Sequence, residues 1–385
     1  MNFSDPYISR ILNGLDFVQY KVSTVICALG MVGNILAIVV CAWSRRLRRS
    51  TCGLYLIALS AYDTIYLLCQ VVYNLFANGL LTFSSAGQCG LLVFLVHASS
   101  CLSPLVVVCF TIERFLVVRF PLHRARICTL AKTRKILLLM LPYPVIIFGV
   151  LASTEDVDEM GSCALREDER SLLINAIVQV IDILVSCLIP LVIIFVLNAL
   201  IARDLMVASR QQRIMIGSSR AETRNQNLQE EEAGRKEKNV TRMLVTVAMT
   251  FAVLNLPSYI VRIKAQYVLV VAKDLNRWSA IDEIVEKIAT VLYIINFAID
   301  FLLYNASSKN FRNATVEVMR MAFCWRRARR QNGRSGVWKS TTSASSRVST
   351  GNTELGDHAA IRQDNRKNTR QDAGGVQESK LDVML

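Results

Sequence analysis

VSTVICALGMVGNILAIVVCAW, residues 22–43, carries no charge over 22 residues and is followed at once by SRRLRRS, residues 44–50. Wound as an α-helix at 1.5 Å per residue, the run would be about 33 Å long, which matches the hydrocarbon thickness of a bilayer. A cleaved signal peptide is the competing reading. The length of the run, its late start and the want of a small-residue cleavage site favour a true span.

Outward from this run, the same pattern recurs six times. Apolar stretches of spanning length run through residues 53–76, 91–118, 136–152, 174–201, 243–263 and 284–303. Seven spans are expected, making an all-α integral membrane bundle. Composition agrees, since 53% of the residues are hydrophobic, 19% are charged and the mean hydropathy is +0.37, too apolar for an ordinary soluble domain. The formal charge of +14 does not point to nucleic acid, because the basic residues cluster beside the apolar runs.

Their distribution orients the chain. Residues 44–52, 119–135, 203–242 and 305–330 hold 4, 6, 9 and 7 Lys and Arg, while 1–21, 77–88, 153–173 and 265–283 hold 2, 0, 2 and 2. Cytoplasmic connections carry the excess, so the reading is an extracellular N-terminus (1–21), a seven-span body (22–324) and a cytoplasmic tail (325–385) at the plasma membrane. The tail is rich in Ser, Thr, Arg, Gln, Asp and Gly, lacks any apolar period and is expected to be disordered. Asn2-Phe3-Ser4 is then an exposed glycosylation sequon, whereas those at Asn239, Asn305 and Asn313 face the wrong compartment.

No phosphate-cradling glycine loop, metal-spaced Cys and His cluster or nucleophile triad is present, so neither catalysis nor a cofactor is expected. Most of the eleven cysteines read as small buried hydrophobes. Cys89 and Cys163 lie beside outer connections, where two free thiols or a bridge are both open.

Several motifs add up. Gly33-Asn34 lies in the first span, Leu59 to Asp63 in the second, and Cys89 opens the third, which Glu113-Arg114-Phe115 closes. Pro190 interrupts the fifth, FAVLNLP (251–257) fills the sixth, DFLLY (300–304) ends the seventh, and Phe311-Arg312 opens a short basic amphipathic stretch. Jointly these resemble the rhodopsin-like G-protein-coupled receptors, from the first span to about Cys324. The Leu-Asn-Leu-Pro form of the sixth span is similar to invertebrate receptors of the FMRFamide kind. Departures are Asn255 where most members carry Trp, Phe301 where they carry Pro, Asn198 where many carry Tyr, and no Trp in the fourth span.

The resemblance implies a Cys89–Cys163 disulfide. It also implies a sodium ion, acting as an allosteric ligand at Asp63, Ser103, Asn296 and Asp300, with a shared proton between the two carboxylates as the alternative. By the same likeness Arg114 pairs with Glu113 or Glu237 until activation frees it for a heterotrimeric G protein. Pro257 then serves as the hinge of the sixth helix and Tyr304 supports the opened state. Arrestin and receptor kinases are the implied partners of the tail.

The ligand is read from what is missing and from charge. Val96 stands where amine receptors carry Asp, and Ile294 where opsins carry the retinal-linking Lys, which leaves a peptide as the first reading. Glu155, Asp156, Asp158, Glu159, Glu167, Asp168 and Glu169 outweigh Arg166 and Arg170 in the second outer loop, a field for a cationic or amidated neuropeptide. Deeper candidates are Tyr73, His97, Gln179, Asp182, Tyr259, Arg262 and Glu286, with Asp182 or Glu286 placed to accept a ligand guanidinium bidentately. A multi-pass transporter, a channel, or a receptor for a non-peptide ligand remains as the alternative. A transporter should show an internal repeat and a channel a filter or charged ring, and the sequence has neither.

Overall fold

A computed structural model describes residues 6–158, 161–166, 168–218, 246, 249–272 and 277–321. It is an all-α bundle: α1 (Arg10–Trp43), α2 (Thr51–Ala77), α3 (Ala86–Arg119), α4 (Leu130–Ala152), α5 (Glu169–Asp204), α6 (249–266), α7 (Ala280–Ala298, resuming as Asp300–Ser307) and a short α8 (309–321). Five of these are long and apolar enough to cross a membrane, and the bent α7 makes a sixth. The sixth helix of the sequence reading is described only over its later part.

Burial divides each helix by face. Leu29, Val32, Leu139, Phe195 and Val253 are exposed although strongly apolar, while Asn34, Ser60, Asp63, Ser103, Asp182 and Asp300 are buried. Apolar side chains point outward and polar ones inward, the arrangement that a hydrocarbon solvent selects. Among the described residues, two of the four buried clusters carry the functional side chains. One gathers Val40, Tyr55, Leu59, Val106, Phe110, Tyr304 and Phe311. The other gathers Tyr66, Leu67, Tyr259, Tyr293, Ile294 and Phe297.

Three local features position the functional residues. Residues 183–188 of α5 form a wider π turn just before Pro190, whose missing N–H cannot close the usual ladder, and this turn buries Asp182, Ser186 and Cys187 together. Helix α7 bends by 55° at Ile299 although Phe301 replaces the family's proline. There the Phe297 carbonyl accepts a 3.0 Å hydrogen bond from Asn34 Nδ2 of α1, a side chain inserted into the helical ladder. Helix α8 is joined to α7 by Arg312, whose guanidinium donates to the carbonyls of Asn305 and Ala306 at 2.8 and 2.9 Å and so satisfies the end of that helix.

The structure differs from the sequence reading in three places. Helix begins at Pro6, inside the segment expected as an outer connection, and α4 begins at Leu130 rather than Ile136, because the basic stretch before the apolar run is also helical. The second outer loop contains an unforeseen antiparallel hairpin, β1 (Glu155–Val157) with β2 (Cys163–Leu165). Its turn places Gly161 at φ 77°, and Phe83 N–H donates to the Gly161 carbonyl at 2.9 Å. Asn2, Glu237 and the tail from 325 onward lie outside the described residues.

Gly30 is where α1 meets α7. A Cβ there would fall 2.6 Å from Ala298 Cβ and 2.7 Å from its Cα, a contact that no side-chain rotation relieves. Gly30→Ala should therefore separate the two helices and lower stability by about 1–3 kcal/mol. A fall in the thermal unfolding midpoint of the purified chain is the measurement. An unchanged midpoint would mean that α1 and α7 slide apart at no cost.

Candidate functional site

Three polar constellations lie along the bundle. The first is near the hairpin end, where Arg262 of α6 donates from Nη1 to Asp182 Oδ2 of α5 at 3.1 Å, and Ser186 Oγ donates to Asp182 Oδ1 at 2.6 Å. Asp182 is 1% exposed and Arg262 30%. The guanidinium lies 5.4 Å from the ring centre of Tyr293 and 5.8 Å from that of Tyr259. Tyr66 and Phe297 continue the aromatic wall at 4.0 Å between ring centres. Ring faces and a desolvated cation attract each other, so the aromatics reinforce the ion pair.

The sequence reading placed Asp182 to receive a ligand cation. Its carboxylate already has a cation and a hydroxyl, and the charge that borders the accessible side is Arg262. Gln179 Nε2 stands 3.4 Å from His97 Nε2, and His97 Nδ1 contacts the Val93 carbonyl at 2.9 Å, so both residues are tied within the bundle. Glu286 and Tyr73 are exposed. On that side Lys287 of α7 instead bridges Asp16 and Glu283 at 2.6 and 3.1 Å, and Lys264 pairs with Asp282 across α6 and α7.

The outer acids are also partly committed. The Cys89–Cys163 disulfide, with Cα atoms 5.4 Å apart, ties β2 to the start of α3. Glu155 lies buried in the hairpin beside it, and burial raises its pKa above the ordinary glutamate value. Asp156 pairs with Arg166 at 3.6 Å. Asp168 caps α5 by accepting from the Ser171 N–H at 3.0 Å, and that hydrogen bonding holds its carboxyl below the usual aspartate value. Glu159 and Glu167 lie outside the described residues.

At mid-bundle, Ser103 Oγ donates to Asp63 Oδ1 at 2.7 Å, and Tyr304 donates its hydroxyl to Asp300 Oδ2 at 2.8 Å. The two carboxyl groups face one another across α2 and α7, and Asp63 Oδ2 is buried without a hydrogen-bond partner. Asp63, Ser103 and Asp300 are thus brought together as the sequence reading expected. Among the described residues, no side-chain hydrogen bond joins Asn296 to them.

At the opposite end of α3, Arg114 Nη2 donates to Glu113 Oε1 at 2.9 Å and to Thr51 Oγ1 at 3.2 Å. Thr51 in turn donates to Glu113, and Thr133 Oγ1 reaches the second carboxylate oxygen at 3.4 Å. Arg114 also lies 5.1 Å from the Phe110 ring centre. Glu113 is therefore its partner among the described residues. Pro257 lies within α6, half-buried.

Sequence reasoning missed the Asp182–Arg262 pair and the Asn34 contact. For the first the signal was available: two opposite charges inside apolar spans need each other, since hydrocarbon offers neither a partner. For the second there was none, because which backbone carbonyl is left open depends on the bend itself.

A family model described as 7 transmembrane receptor (rhodopsin family) matches residues 33–304. The thyrotropin-releasing hormone receptor of Bos taurus is 24% identical over 326 residues, covering 77% of this chain and 78% of the relative. The growth hormone secretagogue receptor type 1 of Sus scrofa is 26% identical over 306 residues, covering 76% and 77%. A neuromedin U receptor homolog of Caenorhabditis elegans is 24% identical over 331 residues, covering 77% and 75%.

Removing one partner of a buried ion pair leaves the other charge uncompensated, whereas removing both does not. Asp182→Asn should lower stability by about 1–3 kcal/mol, and Asp182→Asn with Arg262→Gln should cost less than the sum of the two single changes. Thermal unfolding of the four chains gives the coupling. Strict additivity would show that the pair contributes no mutual attraction.

Proposed function

Because the chain belongs to the rhodopsin family of seven-transmembrane receptors, we propose that it binds an extracellular peptide and activates a heterotrimeric G protein. It is a multi-pass membrane receptor and not an enzyme. The observation that carries the peptide reading is the naming of its relatives, which are receptors for thyrotropin-releasing hormone, a growth hormone secretagogue and neuromedin U. The excess of basic residues in alternate connections, 26 against 6, supports an extracellular N-terminus.

The Asp182–Arg262 pair and its aromatic neighbours support a refinement of the ligand. Asp182 is buried and engaged, while Arg262 borders the accessible side among Tyr259 and Tyr293. A peptide entering from the hairpin side meets a cation and aromatic faces. The matching ligand is amidated or carbonyl-rich at its inserted end and cationic, if at all, at the end that stays near the outer acids.

Activation follows from what must be released. Glu113, Thr51 and Thr133 hold Arg114 in the resting state. Outward movement of the inner half of α6 about Pro257 opens this face, and the freed Arg114 contacts the G protein, with Tyr304 moving inward from Asp300. Arrestin and receptor kinases act on the tail. Asp63, Ser103 and Asp300 form an oxygen-only set suited to a sodium ion that stabilises the resting state.

Two outcomes are expected in nucleotide-exchange assays on G protein at equal surface expression. Glu113→Gln should raise exchange without agonist several-fold, since a loss of about 1 kcal/mol of restraint shifts a minor active population by that factor, while Arg114→Ala should reduce exchange. Replacing choline by sodium should lower basal exchange, and Asp63→Asn should remove that difference. A sodium effect that survives the Asp63 change would reject the ion site. A panel of amidated peptides, with exchange as the readout, tests the ligand class.

A further inference from the structure

We propose that Glu155 makes the outer hairpin a proton-operated cover, held against the bundle while its carboxyl is neutral and loosened when that carboxyl ionises. Cys163 is bonded to Cys89 near the start of α3, so the face of the hairpin that carries Cys163 is turned towards the bundle. Successive residues of a strand point to opposite faces, and residues directly opposed across an antiparallel pair share one. Val157 opposes Cys163 and Glu155 opposes Leu165. The inward face is therefore Glu155, Val157, Cys163 and Leu165, one acid among apolar neighbours. Val157 and Cys163 pack on a buried cluster of Phe83, Cys89 and Leu92.

An acid in this position lacks its ordinary partners. Glu155 is 9% exposed. Its Oε2 lies 4.0 Å from Cys163 Sγ, and a carboxylate oxygen lies within 4.8 Å of both sulfurs, but a disulfide sulfur has no hydrogen to donate. Among the described residues no Lys, Arg or His pairs with it. Arg166, which follows Leu165, pairs with Asp156 on the outer face at 3.6 Å. Asp158 in the turn accepts from the Ser162 N–H at 2.7 Å. Neither β2, the start of α3 nor the end of α4 brings a charged group to the Glu155 carboxyl.

Burying a carboxylate without a cation is costly, whereas burying the neutral acid costs far less. Burial accordingly raises the Glu155 pKa above the ordinary glutamate value. The docked hairpin thus binds the proton more tightly than an open one. Docking is strongest at low pH and weakens as pH rises through the docked-state pKa. The disulfide keeps the hairpin tethered in either state. What can open are the bonds from the Phe83 N–H to the Gly161 carbonyl and from the Arg166 N–H to the Thr154 carbonyl, each at 2.9 Å. Cys89 lies eight residues along α3 from His97, about 12 Å of helix, and His97 meets Gln179 just before Asp182 on α5. The hairpin therefore sits at the end of the bundle that holds the Asp182–Arg262 pair.

The proton is the only ligand this inference needs, so it stands or falls apart from the peptide and G-protein reading. Hydrogen exchange, followed by mass spectrometry on the full purified chain in detergent, reads the protection of the Phe83 and Arg166 amides, corrected for the chemical exchange rate at each pH. From about pH 5 to about pH 8 that protection should fall by about threefold or more in the native chain. Glu155→Gln and Glu155→Leu cannot ionise, and each should hold the protection near its acid value throughout. Gln keeps the shape of the side chain and Leu removes its polarity, so a response shared by both belongs to the charge. Should Glu155→Gln fail to fold, Glu155→Leu carries the comparison. A native hairpin whose protection does not change with pH overturns the proposal, as does an equal fall in the variants. Variants unprotected at every pH also overturn it, because Glu155 would then hold the hairpin by a contact and not by its state of ionisation.

Discussion

Hydrocarbon offers no hydrogen-bond partner, so each polar side chain carried into the bundle has to be met by another part of the chain. The contacts that define this structure are those meetings. Asn34 takes the Phe297 carbonyl, Ser103 takes Asp63, Asp182 takes Arg262, and Ser258 takes the Ala289 carbonyl at 2.7 Å. Asn74 on α2 reaches Ser23 and Thr24 on α1, each at 3.0 Å. Each is a cross-link between helices that apolar packing alone would leave free to rotate, because lipid tails satisfy a leucine as well as another helix does.

The same constraint explains how much could be read in the sequence. Runs of uncharged residues gave the spans, since the bilayer fixes their length. It also marked Asp63, Asp300, Asp182 and Arg262 as exceptional, and Asp63, Ser103 and Asp300 lie together at mid-bundle. Pairing was less legible. Asp182 reads as a receptor for a ligand cation only while Arg262 is regarded as a second, independent candidate. The π turn before Pro190, which brings Asp182 to the inner face, has no counterpart in a regular 3.6-residue period. The hairpin escaped notice for a different reason: strands of three residues are too short to show an alternation, and their register depends on a turn at Gly161 and on the disulfide.

The bend in α7 shows a function of backbone that changes its chemical means. Proline would break the ladder by lacking an N–H, whereas Asn34 acts from the acceptor side by donating to the Phe297 carbonyl. Either device frees the turn that carries Asp300. A side chain on another helix has one further consequence that proline lacks, because the bend now depends on α1 staying against α7 at Gly30 and Ala298. The placement of Asp300 and Tyr304 is therefore a property of three elements at once.

Among the described residues, three side-chain contacts tie α6 to its neighbours beyond Pro257. Arg262 is held by Asp182 of α5, Ser258 by Ala289 of α7, and Lys264 by Asp282 at the start of α7. All three follow the proline in sequence, so they fix the outer half of the helix to two neighbours. Proline removes the hydrogen bond that would make the two halves move as one rod. A rotation at Pro257 is then expressed mainly on the side of the proline that these contacts do not hold. On the function proposed above, a ligand that disturbs the Arg262 contact would act on the fixed side of this hinge, with no requirement that the whole helix translate.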